Sequence, residues 1–327
     1  MRNCIILLIS ALFFSACQFG LRRDDAPVQK DIKVFRYDRL QYEATAMNSV
    51  TALQRMKLEY PQATKLLIED VLALGDVDDE NISERLCAYY SDTTLLHLTE
   101  DALLKYSDMS DIEKGLTKGF MALKKEIPSF VVPAVYSQIS ALNQSIVVGD
   151  SLLGISIDKY MGEDYPLYKR YYYDSQRRSM TPQRILPDCF TFYLFSQYPF
   201  KWHGGIRSLY DVMLHRGKVY WVVKHILDMD SDADVMGYTK DEQAWCKKNR
   251  KKLWRWMADN RFLESTDPMV IRAFTRFDST GLLGKDVPPM VGVWLGMQLT
   301  AKYMKQHPET TLAELLETDD FGFIPLD

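Results

Sequence analysis

The chain has 327 residues, 47% of them hydrophobic and 26% charged, with 40 basic side chains against 44 acidic ones and a formal net charge of -4. That balance suits one large globular domain or two small ones, and it excludes a largely disordered chain. It also excludes sequence-independent attraction to nucleic acid, which needs a strong basic excess, so no nucleic-acid partner is expected.

In chain order the first signal is one of export. Arg2 and Asn3 precede an apolar run from Cys4 to Phe14, the charged start and short hydrophobic segment of a secretory leader. The run is too short to span a bilayer comfortably. It ends in Phe14-Ser15-Ala16-Cys17, where two small residues stand before a cysteine, an arrangement similar to the lipobox of bacterial lipoproteins. The expectation is a signal peptide over 1–16, cleavage before Cys17, and acyl chains on the Cys17 thiol that hold the protein on a membrane. Residues 17–30, with Arg22, Arg23, Asp24, Asp25 and Pro27, read as a lipidated polar tether. A single globular domain is expected over 31–327. Its most apolar later stretch, Val287 to Ala301, begins with two prolines and stops well short of a membrane span.

Within that domain, Ile32 to Tyr37 alternates apolar and basic side chains with the period of a half-buried strand. Ser110 and Glu113 have capping-box spacing ahead of Ile112, Leu116, Phe120, Leu123 and Ile127 at helical intervals. Phe130 to Tyr136 is a β-rich stretch, and Ser145 to Val148 followed by Gly149-Asp150-Ser151 and Leu152 to Ile157 predicts a hairpin. Further capping boxes stand at Thr239 with Glu242 and at Thr311 with Glu314, and Asp267-Pro268 offers a capping acid with proline at the first helical position. Gly292 and Gly296 share one face of a helix and predict a close crossing with a neighbour. The order predicts an α+β fold: a small β-sheet with a hairpin and a mainly helical remainder.

Catalytic motifs are sparse. Of five histidines, none stands four residues from another, so the His-Glu-x-x-His arrangement of zinc peptidases is absent. No metal or other cofactor is expected, and the weak alternative is a site assembled over long range from His203, His215 and Asp188. Asp228, Asp230, Asp232 and Asp234 alternate as calcium ligands do, but Ala233 replaces the glycine of the turn and no glutamate closes the loop. An acidic solvated loop is the simpler reading. There is no nucleophile elbow and no phosphate loop. Cys87, Cys189 and Cys246 lack metal-ligand spacing and read as packed thiols.

Two basic and aromatic clusters are candidates for an interaction surface. Tyr171, Tyr172 and Tyr173 stand beside Lys169, Arg170, Arg177 and Arg178, and Lys247, Lys248, Lys251 and Lys252 lie on the helix expected over 240–258. Core packing with a solvated rim accounts for both. A cationic patch beside a lipid anchor also suits anionic head groups or an acidic partner. On the second helix Leu253, Trp256 and Trp245 are expected to share the buried face.

Several of these segments together carry a resemblance. They are the lipobox cysteine, Leu153 to Gly162, Met180-Thr181-Pro182, Gly237-Tyr238-Thr239 leading to Trp245, Ser265 to Pro268, and Val291 to Gly296 with Gln298. In this order they resemble GldB, a family of gliding-motility lipoproteins of the Bacteroidota. The resemblance covers the chain from about Ile32 onward and implies a non-catalytic envelope accessory to gliding and type IX secretion. It places the protein on the cell envelope, at the outer membrane, with envelope proteins as partners. It also implies a distant likeness to predicted zinc proteases, hence a zincin-like core that has lost its metal: the stretch Ile185 to Phe200, where a His-Glu-x-x-His helix would fall, reads Asp188-Cys189-Phe190-Thr191-Phe192. A divergent metal-dependent hydrolase and an envelope glycan or lipid binder are the alternatives.

Overall fold

The computed structural model describes residues 31–200, 207–277, 283–284, 286–318, 321–322 and 324–326. Strand β1 (Val34–Phe35) is shorter than the alternation of Ile32 to Tyr37 predicts. Tyr37 already opens helix α1 (Tyr37–Thr45), where its fully buried ring donates a hydrogen bond to Thr64 Oγ1 at 3.0 Å. A buried hydroxyl needs such a partner, and helix geometry delivers it where an extended chain would not. Helices α2 (Val50–Glu59) and α3 (Pro61–Lys65) follow, and α3 continues into a π-helical turn, Leu66–Val71. Then come α4 (Ile82–Tyr90), α5 (Thr93–Lys105) and α6 (Ser110–Glu126).

Helix α6 corrects one sequence expectation. Ser110 lies inside the helix, and it is Asp108 that bonds the Ser110 N–H, at 2.8 Å. Glu113, released from capping, reaches back to β1, where it accepts from the Val34 N–H at 3.0 Å and from Lys33 Nζ at 2.8 Å. The spacing alone could not distinguish a cap from this long-range clasp.

The sheet has four strands in the order β1-β2-β4-β3, with β2 at Ala134–Gln138, β3 at Ile146–Gly149 and β4 at Leu152–Ser156. Strands β1 and β4 both run parallel to β2, while β3 pairs antiparallel with β4 through the predicted hairpin. Ser151 takes a left-handed φ of 58° at its turn. The β-rich reading from Phe130 onward is realised only from Ala134, since Phe130 to Pro133 has no ladder.

Past the 3-10 turn Ile157–Lys159 the chain is helical: α7 (Pro166–Tyr171), α8 (Asp174–Arg177), α9 (Ile185–Gln197), α10 (Leu209–Ile226), α11 (Asp232–Met236), α12 (Lys240–Asp259), α13 (Pro268–Thr275), α14 (Val291–Gln306) and α15 (Leu312–Glu317). The α+β class, a small mixed sheet with a mainly helical remainder, is therefore observed. Capping boxes form at Thr239 with Glu242 and at Thr311 with Glu314, and Asp267 caps α13 ahead of Pro268. Each such cap contributes about 1 kcal/mol by pairing amides that would otherwise face no acceptor.

Residues Ile32–Asp327 form one compact unit around a continuous core that includes Phe120, Leu153, Phe190, Met213, Phe274 and Trp294. The tightest crossing is that of α10 with α14. A Cβ placed on Gly217 would overlap the backbone of Gly296, and one placed on Gly296 would overlap the Met213 carbonyl. Two backbones in contact at their glycines bring the flanking side chains into dense packing. The acidic run beside this crossing is structural. Asp232 accepts from Lys224 Nζ at 2.7 Å on α10, and from Trp294 Nε1 at 3.1 Å and Gln298 Nε2 at 3.0 Å on α14. The solvated-loop reading thus fails at Asp232, whose partners bind it to both helices. Among the described residues no helix is long and apolar enough to cross a membrane.

Candidate functional site

The most chemically furnished concavity is a cleft of about 480 Å³ beside the hairpin, a size that suits a small ligand or the end of a chain. Helix α9 supplies Asp188, Thr191, Phe192 and Phe195, whose spacing of three and four residues puts them on one stripe. Helix α10 supplies Arg216 and Tyr220, one turn apart. Lys159 and Tyr172 also line it, as do Thr275, Arg276 and Phe277 at the close of α13.

The floor of the cleft is a buried ion pair. Arg184, 4% exposed, donates from Nη2 to Asp188 Oδ1 at 2.7 Å, and from Nη1 to the Val235 carbonyl at 2.7 Å. Tyr160 donates its hydroxyl to the other carboxylate oxygen, Asp188 Oδ2, at 3.0 Å. Burial pushes the Asp188 carboxyl above its usual range, against the pull of Arg184 and Tyr160. Burial alone would lower the Arg184 guanidinium, but Asp188 together with Tyr220 and Tyr160 outweighs it and holds the cation firmly protonated. Each oxygen of Asp188 therefore accepts from a buried partner. Losing either partner of such a pair strands a buried charge, which costs about 3–5 kcal/mol.

A strained loop holds Lys159 and Tyr172 of the lining. Ala141 and Leu142 both take left-handed backbone, with φ of 52° and 65°, a conformation unfavourable for residues with side chains. The buried Asp158 carboxylate holds it, accepting from the Ser140 N–H at 2.9 Å and the Leu142 N–H at 2.7 Å. The Leu142 carbonyl thereby turns to accept from Lys159 Nζ at 3.1 Å and from the Tyr172 hydroxyl at 3.2 Å. Burial lowers the Lys159 ammonium, opposed by Asp158.

Cations dominate the rest. Arg216 donates from Nη1 to the Thr275 carbonyl at 2.8 Å. Its surroundings push its pKa down, first by burial and also through the nearby like charge of Arg276, with Tyr220 opposing. A guanidinium remains charged regardless. Lys159, Arg216 and Arg276 thus face a single lining carboxylate, Asp188, which Arg184 already neutralises. Thr191, 2% exposed, lines the cleft with its hydroxyl bonded to nothing.

The residues singled out from sequence separate into different places. Asp188 is in the cleft. His215 lies half-buried on α10, with Phe195 at 5.8 Å and Phe200 at 4.9 Å between ring centroids. His203 and Cys17 lie outside the described residues. Among the described residues no group of three or more His, Cys, Asp or Glu is placed to hold a metal ion. The tyrosine cluster divides: Tyr172 turns into the cleft, whereas Tyr171 and Tyr173 are 59% and 81% exposed. Lys247, Lys248, Lys251 and Lys252 are exposed on α12, remote in sequence from the lining residues. On that helix Trp254 is buried with Cys246, Leu253 and Met257, while Trp256 is 38% exposed, so the expected buried face is rotated by about half a turn at the tryptophans. A Trp-x-Trp pair cannot place both rings in one core, and the packing of Tyr210 against Trp254 selects the first of them.

Sequence reading missed Arg184, Lys159, Arg216 and Arg276. Arg184 and Asp188 at i and i+4 were a legible local signal; the other three converge only through tertiary structure. No curated protein and no solved structure matches the chain. The family model described as gliding motility protein GldB matches residues 21–324. That match covers nearly all of the globular unit and its cleft, and the chain belongs to the GldB family of gliding motility proteins.

Proposed function

We propose that the protein is a lipid-anchored component of the cell envelope that binds a partner or ligand through its cleft and performs no catalysis, acting as an accessory to gliding motility and to type IX secretion. Family membership supports the motility role. The stretch ending at Cys17 supports acylation there, with the tether of 17–30 holding the domain of 31–327 at the outer membrane. The observation that carries the binding reading is the state of Asp188. A general base or metal ligand works best with its charge unspent, and the Asp188 carboxylate is instead paired with the buried Arg184 and hydrogen-bonded by Tyr160. What the cleft offers is fixed cations and aromatic rings, the equipment of recognition.

Two measurements on the mature protein purified from membranes test this. Mass spectrometry is expected to find acyl chains on an amino-terminal Cys17, and metal analysis is expected to find no stoichiometric zinc. An unmodified Cys17 overturns the anchor. Stoichiometric zinc that disappears in an H203A/H215A double variant overturns the non-catalytic reading in favour of a metal-dependent hydrolase.

A further inference from the structure

We infer that the cleft is an oxyanion site: Arg216 and Arg276, with the charge of Lys159 adding to their field, hold a carboxylate or phosphate group whose apolar body lies against Phe192 and Phe195. The inference rests on the reading of the cleft as a binding site, and on neither the anchor nor the motility role.

Three observations converge on it. First, the charge is unbalanced. The lining carries Lys159, Arg216 and Arg276 against Asp188, and Asp188 is already neutralised from behind by Arg184 at 2.7 Å. A concave surface of one sign concentrates its field and draws in opposite charge. Second, donors remain for a ligand. Arg276 makes no side-chain hydrogen bond or ion pair among the described residues, and Arg216 spends only Nη1, on the Thr275 carbonyl. A guanidinium carries five N–H donors in a planar fork that matches the two oxygens of a carboxylate or phosphate. Arg276 lies close enough to Arg216 to lower its pKa, and like charges that line one cleft are relieved by an anion between them. Third, a buried hydroxyl is unspent. Thr191 is 2% exposed, lines the cleft, and has no hydrogen-bond partner. Buried polar atoms are nearly always satisfied, so an unpartnered hydroxyl on a residue of the lining is spare hydrogen-bonding capacity beside the cations.

The body of the ligand follows from the apolar lining. Phe192 and Phe195 stand on the same stripe of α9 as Thr191, with Phe192 44% exposed. A ligand with an oxyanion at one end and a flat or apolar group at the other satisfies both sides of a cavity of about 480 Å³.

The test is titration calorimetry of the full mature chain in detergent with three probes: phenyl phosphate, hippurate and the neutral benzyl alcohol. One anionic probe at least is expected to bind with a Kd on the order of 1 mM, a reasonable value for fragments of this size, and to weaken as salt is raised. A phosphate preference points to a phosphorylated ligand, and a hippurate preference to a carboxylate such as a peptide terminus. Benzyl alcohol is expected to bind at least about tenfold more weakly than the better anion, for want of charge-assisted hydrogen bonds. R276Q changes an exposed side chain and is expected to keep the fold while weakening the anion about tenfold; T191V is expected to weaken it less. Because Arg216 is half-buried, R216Q is interpreted only alongside an unchanged thermal melt. Silence from both anions, equal binding of benzyl alcohol, or full affinity in folded R276Q overturns the inference. Because these probes are read on isolated protein, such a failure leaves the acyl and zinc results standing.

Discussion

Helix α10 presents two faces to two different environments, and the contrast between them organises the molecule. Met213 and Gly217 press against α14 so closely that no side chain fits at the crossing. Arg216 and Tyr220, on a stripe about 60° round the same helix, line a cleft with charge to spare. The first face is fixed by shape and the second by chemistry. Binding groups hold their geometry best when mounted on elements immobilised elsewhere, and the glycine crossing immobilises α10 for the arginine it carries. Asp232 reinforces the arrangement by clamping Lys224 on α10 to Trp294 and Gln298 on α14.

Substitutions should separate the two faces. The largest effect is expected at the crossing. Gly296→Ala drives a methyl into the Met213 carbonyl, where rigid backbone on both sides prevents relief; we expect a loss of about 3 kcal/mol or more in urea denaturation, and near-wild-type stability would break the claim that the crossing is tight. Asp188→Ala should come close behind, at about 3–5 kcal/mol, because it strands Arg184 in the core. The paired replacement Arg184→Met with Asp188→Leu removes both charges and is expected to recover most of that loss. Failure to recover would show that the pair is more than a mutually satisfied floor. The smallest effect is expected at the clasp on β1. Partial burial raises the Glu113 carboxyl, but Lys33 and the Val34 N–H outweigh it and hold it below the usual 4.5. A carboxyl depressed on folding contributes stability above its unfolded pKa and loses that contribution as pH falls through the folded value. Glu113→Gln should therefore reduce stability slightly at neutral pH and flatten the acid limb of the stability curve; an unchanged limb would show the clasp to be idle.

What the sequence disclosed and what it concealed divide along a similar line. Capping at Thr239, Thr311 and Asp267, the hairpin around Ser151, and the close-packing glycines Gly292 and Gly296 were readable because each signal sits within a few residues of its effect. Gly217, the partner of Gly296, was not readable, since a lone glycine in a helix does not announce what crosses it. The same limit misled the reading at Ser110, where Glu113 had a distant engagement, and at Trp256, where two alternate tryptophans competed for one face. The cleft was the least legible feature. Lys159, Asp188, Arg216 and Arg276 come from separate segments, and Asp188 drew attention only for standing where a metal ligand could. Its partner Arg184, four residues earlier, carried the informative clue, because a buried pair at that spacing withdraws the acid from chemistry.

The central claim is that the protein works by holding a ligand on fixed cations. The most direct measurement is complementation of a deletion strain with an R216Q/R276Q variant that reaches the membrane at normal levels, scored by gliding or by type IX secretion. The account predicts that the variant fails to restore the phenotype. Full restoration by this variant, with loss instead in an H203A/H215A variant of equal abundance, would contradict it.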